Sequence, residues 1–429
     1  MSAGVAQARP TRRGAPGRQL LLGLVCMMCI SSPQYVWTLF ARPFAQQIGA
    51  GAAAIQVTFS LLVVLQTVCA PLQGLLLARL GPRLLIASGE ALTGLAWLGA
   101  ARAHSLVWLY LSYGVLGGLG TGIVYVGVIG LLVGWFPRRR GLAAGLAASG
   151  YGLGAMLTTL PISLAITRFG MRPTLAGFGL LLALLGALAA SFLRAPPAEA
   201  PAAGPAAGPA ANRASAGVPP GAMLRTGLFW LMFAMMAMMS TSGLMVTSQL
   251  AALAADHGLA GARLLGLGVL PLALTLDRLT NGLTRPVFGL LSDRIGREPT
   301  MALAFGLEGL AMAGWASSLA AHDPLGFVLL SGVVFFGWGE IFSLFPATLT
   351  DSFGSRHATV NYGLLYLSQG VGSILGGPLA SALHQATGGW RDVFALAIGA
   401  DLLTACLALL VLRPVRRRWA TSARPADRP

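Results

Sequence analysis

Lysine is absent from the 429 residues: all 29 basic side chains are arginine. Chemistry that runs through a lysine amine, Schiff-base formation above all, is therefore excluded. Charge of any kind is scarce, at 10% of residues against about 25% in an average soluble domain, while 55% are hydrophobic. A chain of that composition cannot clothe a soluble surface and reads as a membrane protein. Histidine is limited to His104, His257, His322, His357 and His384, none in HExxH or paired-ligand spacing, so a membrane enzyme has no ligand set and no metal or cofactor is expected. The four cysteines, Cys26, Cys29, Cys69 and Cys406, lie in apolar stretches. CMMC at 26–29 has redox or metal spacing, but without a second pair it reads as buried thiols. A net charge of +16 would suit a nucleic-acid binder, yet the arginines sit in short gaps between apolar runs rather than on one face. The expected partner is a lipid bilayer, and not nucleic acid.

Apolar runs separated by arginine, proline and glycine predict twelve helical spans, starting near residues 20, 53, 83, 105, 141, 173, 226, 263, 299, 325, 360 and 390. The first is long enough to be a retained helix rather than a cleaved leader. Most arginines fall in cytoplasmic segments if the N-terminus is inside, and both termini then lie in the cytoplasm. The stretch APPAEAPAAGPAAGPAANRASAGVPPGA has no periodic apolar face and predicts a disordered linker. The expected organisation is a basic tail at 1–19, a six-helix bundle at 20–194, the linker at 195–222, a second bundle at 223–413 and a basic tail at 414–429. The halves echo each other: GLLLARLGPR at 74–83 follows the second span and GLLSDRIGRE at 289–298 follows the eighth. An internal repeat of six helices is the architecture of secondary transporters. Glycine patches such as GGLGTG at 117–122 and GYGLG at 150–154 follow no strand, and are read as sites of close helix packing.

Against this background LDRLTNGLTRPVFGLLSDRIGR, residues 276–297, stands out for its charge. A helix ending at Asp293 puts Arg285 about 12 Å inside the membrane and Asn281 near the midplane. Asn281 lies about 40° and Arg278 about 20° from Arg285, with Asp277 at the margin, so one stripe carries all four. Each charge at that depth costs about 2.5–3.5 kcal/mol on insertion scales, which requires a cavity or a partner. Two readings follow. Arg285, Arg278 and Asn281 receive a small organic acid anion, for which the arginine fork is suited; or Asp277 and Glu340 neutralise the two arginines in an internal salt-bridge network. A carboxyl beside a cation in low dielectric can be poised to exchange a proton, which nominates Asp277 for proton coupling, with Glu340 next. Glu308 and Asp401 are read as structural.

The motif G-x-L-x-D-R-x-G-R, complete as Gly289, Leu291, Asp293, Arg294, Gly296 and Arg297, resembles the loop signature of the major facilitator superfamily, with a degenerate copy carrying Ala78 in the first half. QYVWTLFARP at 34–43, GIVYVGVIGLLVGWFPRRRGLAAGLAASGYGLG at 122–154, TNGLTRPVFGLLSDRIGR and WGEIFSLFP at 338–346 resemble the oxalate/formate antiporter family, relatives of the monocarboxylate transporters. The resemblance implies an all-α major facilitator fold with two six-helix bundles around a central cavity, in a bacterial inner membrane, working by alternating access as a monomer. Position by position it makes Arg285 the carboxylate anchor and Gln34, Tyr35, Tyr125, Tyr151 and Trp338 the cavity lining. Gln369 stands where the family has a second cation, a lysine. One fixed arginine suits a monocarboxylate with a coupling proton; Arg278 could replace the lysine and restore dicarboxylate exchange. Export of a larger amphipathic compound is the third reading.

Overall fold

A computed structural model describes residues 15–136, 140–195, 217–354 and 357–422. The tail at 1–14, the tail at 423–429 and most of the expected linker lie outside the described residues. The chain is helical almost throughout. Its rods are α1 (Ala15–Cys29, Ser32–Tyr35 and Trp37–Ile48), α2 (52–80), α3 (82–100), α4 (106–135), α5 (Arg140–Phe169), α6 (Met171–Ser191), α7 (Gly227–Asp256), α8 (Val269–Ile295), α9 (Arg297–Ala320), α10 (Pro324–Phe353), α11 (358–387) and α12 (Arg391–Thr421). Among the described residues seven of them are long and apolar enough to cross a membrane, or eight if the first, bent by 43°, is one span. The helices α2, α3, α8 and α11 are not among them, and α8 is the one that carries the charged stripe.

Local chemistry sets the breaks. Thr226 caps α7 by accepting from Phe229 N, and Asp323 caps α10 through Leu325 N and Gly326 N. The repeated loop motif is also a repeated backbone. Gly81 turns α2 into α3 at φ 71°, ψ 163°, and Gly296 turns α8 into α9 at φ 96°, ψ 163°. A side chain at either position would be strained, which is why the signature demands glycine there. The eighth span starts later than expected: residues 263–268 form a two-stranded hairpin, Arg263 opposite Gly268 and Leu264 opposite Leu267. Gly266 and Gly268 resist helix, so α8 begins at Val269.

Each half buries an aromatic and glycine-lined core. Trp37 meets Tyr113 at 4.9 Å and Phe40 meets Trp97 at 5.8 Å. The glycine patches do pack helices closely: a Cβ at Gly154 would stand 2.2 Å from the Met28 carbonyl oxygen, and one at Gly120 would stand 2.7 Å from that of Gly89. Leucines on α6 and α12, among them Leu184, Leu188 and Leu410, face outward as a lipid-facing surface must.

The halves meet along α2 against α11, α5 against α8 and α1 against α7. Hydrogen bonds between them cluster toward the ends joined by the α1–α2 and α7–α8 loops. Gln56 donates to Ser248 O at 3.0 Å, Ser60 to Ser373 O at 2.7 Å, and Ala251 N to Thr38 Oγ1 at 2.8 Å. Arg42 forms an ion pair with Asp256 at the same end. Among the described residues no hydrogen bond joins the halves at the opposite end, toward which α1 begins and α12 ends.

Candidate functional site

The α8 stripe lies between the halves and is buried. Asp277, Arg278 and Asn281 are 0%, 1% and 1% exposed, and Arg285 is 8% exposed. The internal salt-bridge network does not form: among the described residues no ion pair reaches Arg278, Arg285, Asp277 or Glu340. Both Asp277 oxygens, all three Arg278 guanidinium nitrogens, and Nε and Nη1 of Arg285 lack a hydrogen-bond partner. So do both polar atoms of the Asn281 amide.

Aromatic faces surround the arginines instead. The Arg278 guanidinium is sandwiched, with Cζ 4.1 Å from the Tyr35 ring centroid on one side and 4.1 Å from that of Phe335 on the other. Tyr35 belongs to the first half and Phe335 to the second. Arg285 lies over Phe342 at 5.1 Å. Desolvated cation–π contacts of this kind are worth about 2 kcal/mol each. They leave the in-plane N–H edges unused, and those edges are what grip a carboxylate.

Ring contacts join one arginine to the other by two routes. Through α10, Phe335 meets Trp338 at 5.6 Å and Trp338 meets Phe342 at 5.4 Å. Across the halves, Tyr35 meets Tyr151 at 5.2 Å, Tyr151 meets Tyr125 at 5.3 Å, and Tyr125 stacks on Tyr366 at 6.1 Å. Tyr366 returns to Phe342 at 6.3 Å. The collar is fixed by one hydrogen bond, Tyr151 Oη donating to Gln34 Oε1 at 2.9 Å. The bend in α1 presents Gln34 and Tyr35 to it.

The remaining expected residues divide. Gln369 is 1% exposed on α11, with Oε1 unpartnered, while its neighbour Gly370 packs against Val64 and Thr67 of α2. Trp338 is wedged against Gly243, where a Cβ would stand 2.2 Å from its indole, so its ring is held more by packing than by the site. Glu340 sits where α10 breaks, fully buried and unpartnered. Gly339, beside it, lies against Asn281. In the loop motif Arg297 bonds Asp293 at 3.0 Å and Asp351 at 3.2 Å, and Arg416 bonds Glu298. Arg294 is exposed and Gly289 takes an ordinary helical place. Phe335, Phe342 and Tyr366, with Tyr362 at 5.8 Å from the Tyr366 ring, were missed in the sequence. Their signal is helical spacing: Phe335, Trp338 and Phe342 fall three and four apart on one face, as do Tyr362 and Tyr366.

The family model of the Major Facilitator Superfamily matches residues 20–279 and 267–429. The chain belongs to this superfamily. It is 32% identical over 403 residues to the oxalate:formate antiporter of Oxalobacter formigenes, covering 93% of each chain. It is 28% identical to monocarboxylate transporter 13 of Bos taurus, over 88% of this chain and 84% of that one. A crystal structure of the peptide transporter POT in complex with sulfate superposes with a TM-score of 0.74 at 15% identity, over 96% of this chain and 97% of that one. At that identity the likeness speaks for the fold alone. This facilitator is thus a multi-pass membrane transporter whose α8 arginines face an aromatic collar between its halves.

Proposed function

We propose that this chain carries small monocarboxylate anions such as lactate, pyruvate or formate across a bacterial inner membrane, by alternating access and coupled to a proton. It works as a monomer with both termini in the cytoplasm. The observation that carries the reading is Arg285: a buried guanidinium between the halves with no acidic partner and free in-plane donors. A carboxylate supplies the missing charge and takes two parallel hydrogen bonds. Asn281, one turn away, offers an amide, and Tyr125, Tyr151, Gln34, Tyr35 and Gln369 supply polar rims to an otherwise aromatic chamber. Asp277 is the coupling group, because it shares the substrate helix and is buried without a partner; Glu340 is the second choice. Among the described residues the cations that lie over rings of this collar, Arg278 and Arg285, both come from the C-terminal half, which favours one negative charge on the substrate.

Arg278 supports a second reading, exchange of a dicarboxylate for a monocarboxylate. Its donors are as free as those of Arg285, and it stands two turns away on the same stripe, about 10 Å along the axis. A counterflow panel in proteoliposomes separates the readings, with formate, lactate, pyruvate, oxalate and larger acids, with and without a pH gradient. Accumulation of monocarboxylates driven by acid outside is expected. Uptake of oxalate against internal formate, indifferent to pH, gives the exchanger, and transport of larger acids alone overturns both.

A further inference from the structure

One group of buried carboxyls takes no part in the substrate stripe. Glu308 on α9 and Asp401 on α12 are each 0% exposed. Among the described residues neither makes an ion pair, and both Asp401 oxygens and Oε2 of Glu308 lack a hydrogen-bond partner. The two helices touch here: a Cβ at Gly309, next to Glu308, would stand 3.3 Å from Asp401 Cβ. The charged groups that bear on Glu308 are Asp401 and Glu340, both acids.

The hydrogen inventory of Ser242 on α7 says what this cluster holds. Ser242 Oγ lies 3.0 Å from the Met239 carbonyl oxygen in its own helix and 2.9 Å from Glu308 Oε1. A hydroxyl has one hydrogen, and a carbonyl can only accept. Whichever of the two takes that hydrogen, the second oxygen of Glu308 and both oxygens of Asp401 are left without any donor, a state that suits a carboxyl carrying its own proton. The pair points the same way, since two adjoining carboxyls in a dry interior with no cation cannot both ionise. We propose that Glu308 and Asp401, with Ser242, form a proton-binding site that holds one proton between two carboxyls, separate from the substrate stripe.

The site backs onto the segment of α10 that faces the substrate helix. A Cβ at Gly337 would stand 2.7 Å from Glu308 Cβ, and one at Gly339 would stand 2.8 Å from Asn281 Nδ2. One helix therefore separates the proton from the stripe, at the point where that helix breaks. Loss of the proton sets two like charges against the back of α10, and its return relieves them. The first half provides an internal contrast. Glu90 on α3 faces Gly186 on α6, where a Cβ would stand 2.3 Å from its carboxyl carbon. There the sixth helix brings a glycine, so Glu90 has no second carboxyl to share with. The role in coupling rests on the proton-coupled reading above, but the existence of the site does not.

Infrared absorbance of protonated carboxyls, measured on the full-length protein in lipid at neutral pH, tests it. Glu308→Gln and Asp401→Asn are each expected to retain the parent's absorbance, because the remaining acid takes the proton. The double variant is expected to lose one carboxyl's worth. Ser242→Ala should leave the intensity unchanged and shift the carbonyl stretch upward, through loss of the bond to Glu308. A double variant equal to the parent, a single variant that already loses the signal, a loss of two carboxyls, or an unmoved stretch in Ser242→Ala each overturns the proposal. The readout needs no transport, and the same differences are expected in an Asp277→Asn background, so failure of the coupling assignment at Asp277 is seen separately.

Discussion

Replacing Arg285 by lysine keeps the charge and removes the fork. In the structure the guanidinium carbon lies over Phe342 at 5.1 Å, with Nε and Nη1 unpartnered. A carboxylate docked on that edge takes two charge-assisted hydrogen bonds, each worth about 1.5–3 kcal/mol. Lysine can direct only one donor along the same line, and its compact ammonium does not lie against the ring as a plane does. The expected loss is about 2–3 kcal/mol, or roughly 30- to 150-fold in the substrate concentration giving half-maximal transport. Initial rates of labelled-lactate counterflow in proteoliposomes, measured against concentration, read this directly. Arg285→Ala removes both bonds and the charge, and should give no measurable flux. If Arg285→Lys keeps its half-saturation within about threefold of the parent, the two-bond geometry is wrong and Arg285 acts as a point charge or as a structural group.

Arg278→Gln should leave monocarboxylate counterflow within a few-fold of the parent; selective loss of oxalate uptake would instead establish the exchanger. Asp277→Asn should abolish accumulation under a pH gradient while exchange of labelled for unlabelled substrate persists, and persistence of accumulation would remove Asp277 from the coupling role. Gly243→Ala drives a methyl into the Trp338 indole, an overpacking cost of about 1–3 kcal/mol. Its thermal midpoint should fall and should recover in the Gly243→Ala/Trp338→Phe double variant. Arg42→Ala breaks an ion pair whose side chains are 45% and 33% exposed, worth about 0–1 kcal/mol, so its transport rate should change less than about fivefold.

The charged stripe of α8 was legible because charge in a membrane span has no cheap explanation. Asp277, Arg278, Asn281 and Arg285 announced a buried stripe from spacing alone, and the repeated loop glycines announced a repeated turn. What surrounds the stripe was not legible. The sandwich on Arg278 joins Tyr35 to Phe335 from opposite halves, and no local pattern encodes a contact over that separation. The salt-bridge alternative was chemically sound and failed because the acids lie on other faces: Asp277 at the margin of the stripe, and Glu340 toward Glu308. The hairpin at 263–268 escaped notice because its leucines continue the apolar run, while two glycines decide the backbone. Glu308 and Asp401 looked supportive one at a time; only the packing of α9 on α12 makes them a pair.

Among the described residues the hydrogen bonds between the halves lie at one end, and they largely join polar side chains such as Gln56, Ser60 and Thr38 to main-chain groups. At about 0.5–1.5 kcal/mol net for each bond, this end contributes a few kcal/mol to an orientation in which it stays closed and substrate enters from the opposite face. Substrate arriving from that face meets a ready carrier. Substrate arriving from the other must first be met by the minority orientation, and its apparent affinity is diluted by that minority's share. Sidedness of affinity is therefore a property of the seam: trimming Ser60 or Thr38 should bring the half-saturation values measured from the two faces closer together, with no atom of the binding chamber altered.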